Sequence, residues 1–210
     1  KDSDSLLQEK HTGKDIILQG VDMQSRFGTT QATVSFSRAN SVNAPLPSVS
    51  GFDGALKKYN YSFKHRVNSA SGLYGQLETT GQSATKPLLS SERIAFGGSA
   101  IGKGFPPSSI VGDRGYGNSL EIGWSTQMSG PFSVPGQVQF FAFRDLARAE
   151  QISADSSANT MYRLRSSGIG LRWQSADGWR TSVYVANPQL AEDQKSLVKE
   201  KLYFNLSVPW

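Results

Sequence analysis

The chain has 210 residues, 22 Lys and Arg against 17 Asp and Glu, and no cysteine. That excludes disulfides and thiolate metal sites, and with no run of eighteen apolar residues it excludes a membrane-spanning helix. A net charge of +5 with no cluster of five to eight basic residues reads as charge spread over a surface or a pore wall, not as a nucleic-acid footprint.

Residues 1–13 are polar and carry no signal-peptide pattern. From residue 16 onward the chain alternates. Strands are predicted at residues 16–23, at 32–37 and at 57–66, where Tyr59, Tyr61 and Phe63 alternate with Lys58, Asn60, Ser62 and Lys64. A fourth follows at 73–82 and a fifth at 119–125, with Leu120, Ile122 and Trp124 on one face and Glu121 on the other. Further strands are predicted at 138–145, 164–173, 179–186 and 202–210. In the last, Leu202, Phe204, Leu206, Val208 and Trp210 alternate with Tyr203, Asn205 and Ser207.

The connections alternate too. Short turns are predicted at 68–72, 129–136 and 175–178, and long loops at 39–55, 146–161 and 187–200. Outer-membrane barrels have short periplasmic turns and longer external loops, and Trp124, Trp173, Trp179 and Trp210 sit at strand ends, where interfacial aromatics belong. A soluble β-sandwich also alternates, but it has no reason to alternate loop lengths or to gather tryptophans at strand ends. The pattern therefore favours an all-β, antiparallel transmembrane barrel.

The longest connection, residues 86–117, is rich in glycine: Gly97, Gly98, Gly102, Gly104, Gly112, Gly115 and Gly117. Gly97 and Gly102-Lys103 match a phosphate-binding loop in part. The Ser or Thr that should follow is Gly104, and Pro106 and Pro107 forbid the helix such a loop must open. Ile94, Phe96, Ile101, Phe105 and Ile110 give this segment apolar surface to bury, which reads as a folded-in loop. Enzymatic constellations are thin. His11 and His65 have no metal-spaced partners, and no Gly-x-Ser-x-Gly elbow is present. Glu78, Glu121 and Asp145 read as charges lining a wet lumen. No cofactor and no metal site is expected.

The order Leu-x-Ser-Ser-Glu, Phe-Gly-Gly, Gly-Lys-Gly-Phe, Gly-Asp-Arg-Gly and Ser-Leu-Glu resembles the outer-membrane translocators of two-partner secretion, the TpsB group of haemolysin secretion/activation proteins. The resemblance implies a loop that folds back into the barrel as a plug. The family's tip reads (V/G)-R-G-(Y/F), matched by Gly102, Lys103, Gly104 and Phe105, with Lys103 in place of the family's Arg. A Gly-Asp-x-Gly follows, matched by Gly112, Asp113, Arg114 and Gly115. Glu121 and Asp145 match acidic wall positions that the tip cation would reach. Residues 168–186 look like the last hairpin, and Phe204, Leu206, Val208 and Trp210 look like the terminal signal read by the barrel-assembly machinery.

On this resemblance the strands are the last nine of a sixteen-stranded barrel whose N-terminal POTRA domains and first strands lie outside the chain. The implied partners are a secreted exoprotein of adhesin or haemolysin type, outer-membrane lipids and lipopolysaccharide; nucleic acid is not among them. A barrel-assembly insertase of the same superfamily and a passive porin are the alternatives, the porin disfavoured by the Gly-Lys-Gly-Phe tip. Asp145 shares its predicted face with Phe141 and Phe143, so either aromatics line the lumen there or a bulge shifts the register.

Overall fold

In a computed structural model, residues 14–25, 28–39, 56–129, 135–153, 158–190 and 201–207 are described. Nine strands form one antiparallel sheet, each paired to its neighbour in sequence: β1 (Lys14–Ser25), β2 (Gly28–Ala39), β3 (Leu56–Asn68), β4 (Leu73–Ala84), β7 (Arg114–Ser129), β8 (Pro135–Gln151), β9 (Thr160–Ser175), β10 (Arg180–Leu190) and β11 (Lys201–Ser207). Two short strands, β5 (Ile94–Phe96) and β6 (Ile110–Gly112), pair with each other between β4 and β7. No α-helix occurs among the described residues. The sheet is open: β1 and β11 are its edges.

The two faces differ. Leu73, Leu120, Ile122, Trp124, Phe140, Ile169, Val185, Leu202, Phe204 and Leu206 all stand exposed, on the face that alternation assigns outward. The opposite face carries buried Ser119, Glu121, Phe141, Phe143, Asp145, Leu164 and Ser166. A soluble sheet buries its apolar face; here the apolar face is bare and the polar one covered, as in a membrane barrel whose exterior meets lipid. On β11, Leu202 and Phe204 are 71% and 67% exposed while Tyr203 is half-buried, as the alternation predicts, whereas Asn205 and Ser207, expected inward, are exposed on this edge strand. Val208 and Trp210 lie outside the described residues.

The question of parity at Asp145 is settled by the ladders. The β7–β8 and β8–β9 registers run unbroken through Asp145, so no bulge intervenes. Phe141 and Phe143 do face inward, where they pack with Tyr74, Tyr184, Tyr203 and Ala186. Neighbouring Gly123, Gly168 and Gly170 leave room for those rings.

Several boundaries differ from expectation, all in the same direction. β7 starts at Arg114 and not at 119, so Gly115 and Gly117 belong to a wall strand and not to the loop. β8 runs to Gln151 and β9 starts at Thr160, which shrinks the expected 146–161 loop to residues 152–159. β10 continues through Pro188 to Leu190. Each extension runs into polar sequence at the end opposite the short turns, where neither face follows an apolar period. The expected loops at 39–55 and 187–200 and the turn at 129–136 fall largely outside the described residues.

Residues 85–113 return over the inner face. They are not structureless: a 3-10 turn at Ser90–Glu92 leads into the β5–β6 ladder. Phe96, Ile101, Phe105 and Ile110 are buried against Ala147 and Ala149 of β8 and Leu164 of β9. Gly117 makes the close approach possible, since a Cβ there would stand 2.8 Å from Phe96 Cδ1 and 2.9 Å from Ile101 Cγ2.

Candidate functional site

The loop tip is built by glycine. Gly97, Gly98, Gly102 and Gly104 have φ of +119°, +94°, +95° and +99°, a region other residues adopt only at a cost. Backbone bonds from Gly97 N to Ile101 O (3.0 Å), Gly98 N to Phe105 O (3.1 Å) and Phe105 N to Gly102 O (3.0 Å) close the turn. At Gly104 a Cβ would also stand 2.8 Å from Ala186 Cβ on β10, and the Gly104 carbonyl accepts a hydrogen bond from the Tyr203 hydroxyl on β11.

That turn presents Lys103 and two backbone N–H groups to one carboxylate. Asp145 on β8 is fully buried. Its Oδ2 accepts hydrogen bonds from Gly102 N (2.9 Å) and Lys103 N (2.8 Å), and its Oδ1 lies 3.3 Å from Lys103 Nζ. Ser166 on β9 adds a hydroxyl at 3.5 Å. Lys103, only 6% exposed, donates also to Ser119 Oγ on β7 and to Ala100 O, both at 3.0 Å, and its Nζ lies 4.9 Å from the Phe143 ring centre. A lysine cannot fork onto a carboxylate as arginine does. Here the fork is made by the backbone: adjacent N–H groups of Gly102 and Lys103 converge on one oxygen, and the ammonium supplies the charge.

Glu121, the other acidic wall residue, is hydrogen-bonded to a cation other than Lys103. Arg172 on β9 takes it in a two-pronged pair, Nη1 to Oε1 at 2.5 Å and Nη2 to Oε2 at 2.7 Å, and Tyr74 on β4 donates to it at 3.0 Å. The Arg172 guanidinium lies 3.8 Å from the Phe141 ring centre, and Arg66 lies 4.0 Å from that of Tyr74. Parity alone would have found Arg172, since it shares the inward face with Gly168 and Gly170; its partner two strands away was not readable.

The Gly-Asp-Arg-Gly motif forms the root of the loop. Asp113 is fully buried and accepts from Leu88 N (2.7 Å), Arg93 Nε (3.1 Å) and Ile152 N (2.7 Å). It thereby ties the descending chain, the ascending chain and the end of β8 together. Gly112 sits flush on the Glu150 backbone, where a Cβ would come within 2.6 Å of its nitrogen. Arg114 donates to Ala84 O at 2.7 Å, and Gln82 bridges Glu92 O and Asp113 O. Lys58 on β3 pairs with Glu92.

Chemically this arrangement holds a loop. Glu121 and Asp145 each face their own cation, and Glu78 lies 3.7 Å from Lys64. No His, Cys, Asp and Glu grouping fit for a metal occurs among the described residues. His65 is bonded to Thr30 at 2.8 Å.

No curated protein and no solved structure matches the chain. One family model does, over residues 11–173, which include the loop, both ion pairs and β1 to β8 whole. By that match the chain belongs to the haemolysin secretion/activation protein family ShlB/FhaC/HecB, outer-membrane translocators of two-partner secretion.

Proposed function

We propose that this chain forms the plugged side of a translocation barrel that passes a secreted exoprotein of adhesin or haemolysin type, with residues 85–113 as the movable plug and Lys103–Asp145 as its latch. The observation that carries the reading is the burial of Asp145 under two tip amides and an ammonium, all from one turn of the loop. A plug must hold and yet leave. Three of the tip's polar donors converge on one carboxylate, so competition at that carboxylate loosens the tip.

In a bilayer no sheet edge is left open, so further strands pair with β1 and β11 to complete the barrel. Phe204 and Leu206, exposed on β11, serve with Val208 and Trp210 after them in sequence as the apolar signal for the barrel-assembly machinery, and the exposed apolar belt meets outer-membrane lipid. The long connections, including the plug, mark the external end.

Two experiments test this. Lys103→Ala should lower secretion of the exoprotein several-fold or raise ion leakage, with unchanged heat-modifiable migration of the barrel. Lys103→Arg should secrete normally, since Arg keeps the charge and is the family's tip residue. Normal secretion and unchanged leakage in Lys103→Ala would refute the latch. For orientation, a cysteine at Ala158 should label on whole cells and one at Ala176 only after the outer membrane is permeabilised; the reverse pattern would turn the barrel over.

A further inference from the structure

The outer face of β8 and β9 changes character along its length. A strand needs about 9–11 residues to cross a membrane when tilted, but β8 has 17 and β9 has 16. Counted from their short-turn ends, where Gly136 pairs with Ser175, a crossing of about 11 residues ends at Asp145 and Arg165, and beyond Ala142 and Ile169 the outward residues are polar except Leu146 and Met161. About six residues then remain on each strand, which lifts them roughly 15 Å past the hydrocarbon at ordinary strand rise and tilt.

At that boundary and above it stand four arginines. Arg144 and Arg148 alternate outward on β8, between inward Phe143, Asp145, Ala147 and Ala149. Arg163 and Arg165 alternate outward on β9, around inward Leu164. The ladder sets Arg148 directly opposite Arg163, and Arg165 opposite Leu146. Like charges placed directly across a ladder repel. Among the described residues, Glu150 is the carboxylate at this face that meets an arginine, 4.0 Å from Arg148 and itself engaged by Asn159 at 2.7 Å. Arg163 Nη2 contacts the Met161 sulfur at 3.4 Å, and Arg144, Arg163 and Arg165 are all exposed. The fold thus spends repulsion to gather four guanidiniums around an exposed leucine, at the height where an outer leaflet carries its phosphates.

We propose that this patch binds the phosphorylated glucosamine headgroup of lipopolysaccharide, with Arg148 and Arg163 on one phosphate, Arg144 and Arg165 flanking it, and Leu146 against the upper acyl chain. Guanidinium matches phosphate in a planar, two-pronged geometry that lysine does not reproduce. Basic patches beside a membrane-embedded surface recruit anionic headgroups on the same principle. The choice of lipopolysaccharide over a phospholipid follows from position, since the patch lies at the end bearing the plug and the long connections. It rests on the outer-membrane orientation given above.

The test uses the intact barrel protein purified in mild detergent, titrated with fluorescent bisphosphorylated lipid A. Dephosphorylated lipid A, phosphatidylglycerol and inorganic phosphate serve as competitors. Unlabelled bisphosphorylated lipid A should compete at least about tenfold better than each of the other three. The double variant Arg148→Gln/Arg163→Gln should lose at least about tenfold in affinity while Arg148→Lys/Arg163→Lys loses less. Equal competition by dephosphorylated lipid A or phosphatidylglycerol overturns the proposal, as does a folded glutamine variant with native affinity. Competition by inorganic phosphate equal to that of lipid A overturns the lipid assignment. The competitor series needs only the native protein, so it decides even where the variant fails to insert. Secretion and leakage of the native protein and of Lys103→Ala report separately on the plug, so a failure of either reading leaves the other measurable.

Discussion

Asp145→Ala should open the barrel. The substitution removes one carboxylate, orphans the Gly102 and Lys103 amides, and strips the Lys103 ammonium, 6% exposed and still bonded to Ser119 and Ala100, of its counter-charge. Removing one partner of a buried ion pair costs about 3–5 kcal/mol, because the remaining charge stays desolvated and uncompensated. The tip has one inexpensive response, to leave. Lys103→Ala is milder, since the carboxylate keeps both amides and the Ser166 hydroxyl. The expected order of channel conductance in planar bilayers is therefore Asp145→Ala above Lys103→Ala above the unsubstituted chain. Sensitivity of cells to large antibiotics should follow the same order. Asp145→Asn should fall between the unsubstituted chain and the alanine variant, because its carbonyl can still accept an amide but its NH2 opposes the lysine. A correctly inserted Asp145→Ala barrel with native conductance and native resistance of the loop to protease would show that the apolar cluster of Phe96, Ile101, Phe105 and Ile110 holds the plug by itself.

Much of this was legible in the sequence, for identifiable reasons. Where the strands cross lipid, one face must be apolar and the other is free to be polar, so period-two alternation at residues 57–66 and 119–125 marks them directly. Past the lipid that constraint lapses. Arg114–Asn118, Leu146–Gln151 and Thr160–Arg163 lie in ladders, yet read as loop, because both of their faces meet polar surroundings or the plug. The inward Phe141 and Phe143 looked anomalous for a wet lumen; they pack with Tyr74, Tyr184 and Ala186 from other strands, which the strand's own residues do not announce. The wall contacts were legible only through motif. Lys103 with Asp145 follows from a tip cation and an acidic wall position, whereas the pairing of Glu121 with Arg172 depends on registers across two ladders. Asp113 is the plainest case. Its partners are backbone amides at Leu88 and Ile152, far away in sequence and on either side of it, and backbone donors leave no compositional trace.

Asp113 is consequently the residue whose loss should separate the root of the plug from its tip. In Asp113→Ala the amides of Leu88 and Ile152 and the Arg93 side chain lose their acceptor in a site with no solvent exposure at the carboxylate. Each orphaned buried donor costs about 1–3 kcal/mol. A loss of about 3 kcal/mol corresponds to more than a hundredfold in the local opening equilibrium. Hydrogen exchange at Leu88 and Ile152 should therefore accelerate by about that factor, while peptides spanning Gly102 and Lys103 keep their protection through Asp145. Asp113→Asn should restore part of the protection, since its remaining carbonyl oxygen can hold one of the two amides. Asp145→Ala should give the mirror pattern, an exposed tip over a protected root. If Asp113→Ala exposes root and tip together, the loop docks as one cooperative unit, and release through the Asp145 carboxylate alone is no longer available as the way the plug moves.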